Sequence, residues 1–145
     1  MIGAGFTVTQ NTALCHVQGS SGQTLHAGNT NPTILPKIFE GQNGRIHTTS
    51  GMNVSWNLTP VTEAMGGFCI IPGSHKCCYP LPHSVRTTNV RSPIRHVEMG
   101  AGDIVFFLGG AVSHGAYRWE AEIPRRAALF TYSQPAGRAF AWPKL

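Results

Sequence analysis

Seven histidines and a single aspartate, Asp103, are the side chains of this 145-residue chain with the most chemistry to offer. Two imidazoles and one carboxylate on one face make the donor set of mononuclear iron(II) sites, which keep positions open for a cosubstrate and dioxygen. The trace of such a site is His-x-Asp or His-x-Glu, then a lone His far downstream, then an Arg to pair with a ligand carboxylate. His114 stands in the lone position. It follows an apolar segment and the Gly109-Gly110 turn, and Gly115 after it lets backbone approach a ligand. Taken by itself, a histidine on a strand is more often structural than a ligand. Arg125 and Arg126 come next. Strand alternation turns only one of them inward, and an inward guanidinium needs an anion, which a carboxylate supplies bidentately. In the other reading both lie at a solvated strand end.

Short strands must position these groups. Seventeen Gly and ten Pro, nearly a fifth of the chain, argue against a helical bundle and for many turns. Residues 52–58 alternate with period two. Met52, Val54, Trp56 and Leu58 form the apolar phase, which places Trp56 on the inward face, opposite Asn53, Ser55 and Asn57. Residues 68–71 read as a short buried strand ended by Pro72-Gly73. Residues 103–108 are apolar on both faces, as in a central strand covered on both sides. Residues 127–133 form a further strand, entered after Pro124. Weaker strand signals cover 6–9, 13–18, 44–49 and 95–99. No window of ten or more residues carries a sustained 3.6-residue stripe. The chain reads as one all-β domain over residues 1–145, a jelly roll or barrel.

Composition narrows the partners. Eleven Lys and Arg against six Asp and Glu give a formal charge of +5, which suits an anionic ligand. The basic residues are scattered, with no run and no basic helix, so nucleic acid is not the expected partner. The longest apolar runs fall far short of the roughly 20 residues that span a membrane. Residues 1–13 lack a basic start and an apolar core, so no secretory signal is expected. Cys15, Cys69, Cys77 and Cys78 show no C-x-x-C spacing and fit reduced thiols in a cytoplasmic protein.

Four separated blocks then become specific. These are Gly67-Phe68-Cys69-Ile70-Ile71-Pro72-Gly73-Ser74-His75-Lys76, Gly102-Asp103-Ile104-Val105-Phe106-Phe107, Ser113-His114-Gly115 and Pro124-Arg125-Arg126-Ala127. In order and spacing, over about residues 24–135, they resemble the phytanoyl-CoA dioxygenase family. The resemblance implies a double-stranded β-helix, a jelly-roll relative of the cupins, with iron(II), 2-oxoglutarate and dioxygen. It makes His114 the distal iron-ligating histidine. Arg125 matches the arginine on the far carboxylate of 2-oxoglutarate, with Arg126 its close rival. Trp56 falls in the strand where the family can place a tryptophan beside the cosubstrate. His75 is a family landmark in a turn at the barrel rim, not a ligand.

Two departures accompany the match. The early histidine is His26, in Leu25-His26-Ala27-Gly28, so Gly28 stands where His-x-Asp has its carboxylate; Glu40 is the nearest acid. His96-Val97-Glu98 has the required form but lies only one strand ahead of His114, and reads as accidental. His16, His47 and His83 have no evident partner. Only 25 residues precede His26, fewer than the family carries, so a longer N-terminal region is expected to be missing. The expected activity is an iron(II)- and 2-oxoglutarate-dependent dioxygenase hydroxylating a small organic molecule. With Gly28 at the ligand position, water or Glu40 could complete the metal shell. Alternatively, chloride could do so, as in related halogenases, or the domain is a catalytically silent binding module. A structural β-domain whose basic surface meets a polyanion is the reading furthest from an enzyme.

Overall fold

A computed structural model of the chain describes residues 5–27, 51–76, 81–86, 93–109 and 111–133. Eight strands order it: β1 (Thr7–His16), β2 (Gln23–His26), β3 (Met52–Asn57), β4 (Gly67–Ile70), β5 (Arg95–His96), β6 (Ile104–Phe107), β7 (His114–Tyr117) and β8 (Arg125–Ser133). They form two antiparallel four-stranded sheets, one in the order β1-β8-β3-β6 and the other β2-β7-β4-β5. Apart from β4 beside β5, each strand pairs with strands distant in sequence while the chain passes repeatedly between the sheets, which is the jelly-roll arrangement of the double-stranded β-helix. Helical structure among the described residues is confined to three 3₁₀ turns of three residues each. None is long and apolar enough to cross a membrane.

Two apolar clusters hold the sheets. Val61, Phe68, Met99 and Trp119 pack between them, with Val105 and Phe107 of β6 against the group. Trp119 is fully buried and meets its one polar obligation by donating Nε1–H to the Ile123 carbonyl at 2.8 Å. Alternation along β4 turns Cys69 to the other face, where Leu25, Ile71, Leu81 and Ile94 cover it. Burial pushes the Cys69 thiol up to about 11, so it stays uncharged. The tight turn into β4 requires glycine twice. Gly66 and Gly67 have φ of 87° and 90°, and a Cβ at Gly66 would run into the Arg118 carbonyl.

Several elements differ from the sequence reading. The signals at 6–9 and 13–18 belong to one strand, β1, because β8 offers it a continuous partner from Ser133 back to Arg125. Strand β5 has two residues, and what extends it is a single bridge between Val61 and Met99. Strand β6 is not central. Among the described strands it ends its sheet, with Ile104 43% and Phe106 64% exposed and β3 as its neighbour. The phase of β3 is the largest correction. Trp56 is 46% exposed, while Ser55 and Asn57 are buried at 1% and 0%. The apolar phase of β3 therefore faces away from the second sheet, alongside Ile104 and Phe106, and the polar phase lines the interior. Hydrophobic-in, polar-out alternation inverts here because the space between the sheets presents polar groups. The segment 44–49 lies outside the described residues.

Candidate functional site

Strands β2 and β7 are neighbours in register, and that register sets His26 directly opposite His114. Directly opposed residues in an antiparallel pair share a face, so the two rings meet, with centroids 4.2 Å apart and planes at 54°. Each ring is oriented by its own backbone. His26 Nδ1 lies 2.9 Å from the Thr24 carbonyl and His114 Nδ1 lies 2.8 Å from the Val112 carbonyl. A carbonyl only accepts, so both Nδ1 atoms carry a proton, and in the neutral form of either ring Nε2 keeps the lone pair. That is the tautomer in which a neutral imidazole serves as a donor ligand. Phe107 packs edge-on to His114 at 4.7 Å and Phe68 lies at 6.1 Å. Enclosure by these rings lowers the pKa of His114 to about 4, chiefly by desolvation, with His26 adding to the effect and the Val112 bond opposing it.

The other pole of the interior is Arg125. Strand β8 places Arg125 and Ala127 inward, at 3% and 2% exposure, and turns Arg126 outward. Arg126 instead uses its backbone, donating N–H to Thr59 Oγ1 at 2.9 Å. Alternation thus separates the two arginines, as it must. The buried guanidinium leaves its Nε without a hydrogen-bond partner. Desolvation lowers the Arg125 pKa, and the group that opposes this is the Cys69 thiol, not a carboxylate. A buried cation without an anion among the described residues is costly and calls for a compensating charge.

Between the two poles runs the inner face of β3. Asn53 is paired with Phe107 and Thr131, Ser55 with Val105 and Leu129, and Asn57 with Ala127. Asn53 Oδ1, Ser55 Oγ and Asn57 Oδ1 are all buried without partners. From Asn53, beside the Phe107 that covers His114, to Asn57, beside the start of β8, the strand rises about 13 Å. The site therefore has imidazole donors at one end, a guanidinium at the other and a polar wall between them. The sequence reading missed this wall. Its signal was the Asn-x-Ser-x-Asn phase of β3, set aside in favour of the apolar phase that carries Trp56. Trp56 itself is oriented away from the interior. Replacing it by Ala is expected to change affinity for an interior ligand by less than about twofold, whereas Ser55→Leu should reduce it at least tenfold in the same binding titration.

The remaining candidates fall elsewhere. Gly28, Glu40 and His47 lie outside the described residues, and nothing is described of the His83 side chain. In the Pro-Gly-Ser-His-Lys turn the structural bond runs through Ser74, whose buried Oγ accepts the Ser113 N–H at 2.8 Å and so ties the turn to the residue before His114. His96 hydrogen-bonds the Gly66 carbonyl and stacks on Tyr117, and Glu98 accepts the Glu63 N–H, so that pair belongs to the turn around Gly66. Among the described residues no third His, Cys, Asp or Glu joins His26 and His114 in a metal-binding group.

The profile of the phytanoyl-CoA dioxygenase family matches residues 8–127. The chain belongs to the phytanoyl-CoA dioxygenase family. No curated protein matches it in sequence. Solved structures similar to this family member include HygX from Streptomyces hygroscopicus with nickel and 2-oxoglutarate bound, at a TM-score of 0.72 and 21% identity over 90% of this chain and 57% of that one. EctD from S. alaskensis, with 2-oxoglutarate and 5-hydroxyectoine, aligns at 0.62 and 19% identity over 89% of this chain and 44% of its own. EvdMO1 aligns at 0.68 and 17% identity, covering 93% of this chain and 29% of its own. At these identities the likeness speaks for the jelly roll, which the family member shares. The chain spans well under two thirds of each of these proteins.

Proposed function

We propose that the chain is the jelly-roll portion of an iron(II)- and 2-oxoglutarate-dependent oxygenase acting on a small organic molecule. The observation that carries this reading is the pairing of a Nδ1-bonded imidazole couple with a buried, anion-seeking guanidinium inside one β-helix. In it, His26 and His114 supply two metal donors through Nε2. Their donor chemistry fits the group, since backbone carbonyls orient both rings through Nδ1 and leave Nε2 as the donor atom. Arg125 holds the far carboxylate of 2-oxoglutarate, and the β3 amides and hydroxyl offer hydrogen bonds along its length. Bound there, iron(II) with 2-oxoglutarate and dioxygen would supply the oxidising chemistry, hydroxylation or, with chloride at the position Gly28 cannot fill, halogenation. The chain's own part is to bind and orient the cosubstrate and to exclude water with Phe68 and Phe107. HygX and EctD, with 2-oxoglutarate in both, support this reading by likeness of fold.

One observation favours a second reading, a dicarboxylate-binding module without turnover: the described residues offer two metal donors and no third. Carbon dioxide release from 1-labelled 2-oxoglutarate separates the two. Release that needs added iron(II) and dioxygen, and is lost in His26→Ala and His114→Ala, is the expected result. Binding of 2-oxoglutarate with no release under any metal loading would overturn the oxygenase and leave the module.

A further inference from the structure

His16 ends β1 directly opposite Arg125 at the start of β8. Leu14, two residues before it, is opposite the buried Ala127, so His16 and Arg125 share the inward face. Side chains opposed in this way have Cβ atoms about 5 Å apart. A protonated imidazole directly opposite a guanidinium is repelled by it, and the chain nevertheless sets His16 beside Arg125, which has no carboxylate partner among the described residues. We propose that His16 and Arg125 form one carboxylate seat, in which His16 takes up a proton as the anion arrives.

The inference rests on the reading of Arg125 as a carboxylate-binding residue and adds a second group to it. In the empty site, burial and the Arg125 charge hold the His16 pKa below its ordinary value, so the ring is neutral at pH 7. A carboxylate on Arg125 cancels that repulsion and accepts a hydrogen bond from the protonated ring. The groups around His16 leave the anion as the partner for that proton. Arg126, next on β8, points outward, and Cys69 of β4 is an uncharged thiol. Arg118 and Glu120, beyond the turn that follows β1, pair with each other on the surface at 3.3 Å. Binding and protonation then favour each other. Affinity rises as pH falls through the window between the empty-site and occupied-site pKa values, by at most tenfold per pH unit for one proton.

The test is calorimetric titration of the metal-free full chain with 2-oxoglutarate between pH 6 and 8, in buffers of different ionisation enthalpy so that proton uptake is counted directly. The parent protein is expected to take up a proton on binding within this range and to bind more tightly toward pH 6. His16→Gln and His16→Ala should bind without that uptake and with a nearly flat profile, and Arg125→Met should not bind. Binding by the parent with no proton uptake, or uptake that persists in both His16 variants, overturns the role of His16 and leaves Arg125 standing. Failure of the parent to bind, or undiminished binding by Arg125→Met, overturns the carboxylate seat altogether.

Discussion

Arg125→Met is expected to lose 2-oxoglutarate while the empty protein becomes more stable. Breaking a buried ion pair by removing one partner costs about 3–5 kcal/mol, or two to more than three orders of magnitude in affinity. The ligand-free protein, however, has no such pair to break among the described residues. Arg125 is only 3% exposed, its Nε is unpartnered, and burial lowers its pKa. An unbranched thioether fills similar space without the charge. The same residue therefore destabilises the empty fold and stabilises the occupied one. Thermal unfolding reads both effects. At a ligand concentration of about 100 Kd the parent should gain about 2.7 kcal/mol, and the variant nothing. The empty variant should unfold at a higher temperature than the empty parent. Arg125→Lys is not a conservative control, because a point ammonium cannot reproduce the planar fork. A ligand-induced shift that survives in Arg125→Met would remove Arg125 from the site.

Much of this site was legible in the sequence, and the parts that were not share a cause. Ser113-His114-Gly115 and Pro124-Arg125-Arg126 are local signals, and the strand rule that only one of two adjacent arginines faces inward holds in the structure. The choice between them needed the register of β8, which is fixed by β1 and β3, distant in the chain. The partnership of His26 with His114 is likewise a register property of β2 and β7. So is that of His16 with Arg125, which is why His16 had no evident partner when read along the chain. Trp56 failed for a different reason. Period two shows that a strand has two faces but not which of them is interior. The usual resolution, apolar inside, misleads where polar side chains line the interior. In β3 the residues with unpaired buried oxygens, Asn53, Ser55 and Asn57, form the inner face, and the tryptophan belongs to the outer one. The same logic demotes β6 from the centre of a sheet to its edge. Its apolar residues on both sides reflect one face against the core through Val105 and Phe107 and one exposed face through Ile104 and Phe106.

Removing either ring of the imidazole pair should cost the metal, and His114 should also govern stability in acid. His26→Ala and His114→Ala are each expected to weaken cobalt(II) binding, read by its visible absorption, by more than about 100-fold. Outer-shell partners of metal-bound histidines already carry 10–100-fold, and a direct donor carries more. Nearly unchanged affinity in His26→Ala would take His26 out of the site. The metal-free protein provides a second readout. In the folded chain the His114 pKa lies at about 4, against 6.5 for an ordinary histidine. Below pH 6.5 the unfolded chain takes up a proton that the folded chain refuses. The stability from keeping His114 neutral is therefore complete above pH 6.5 and lost progressively as pH falls toward 4. At about 1.4 kcal/mol per pKa unit the loss amounts to about 3 kcal/mol. Denaturant unfolding of the metal-free parent should follow that slope between pH 6.5 and 4, and His114→Gln, which does not titrate, should lack that part of it. A ring enclosed by Phe68 and Phe107 thus resists protonation in the same range where an exposed one would surrender its lone pair, so the enclosure that costs stability in acid also keeps the Nε2 lone pair free.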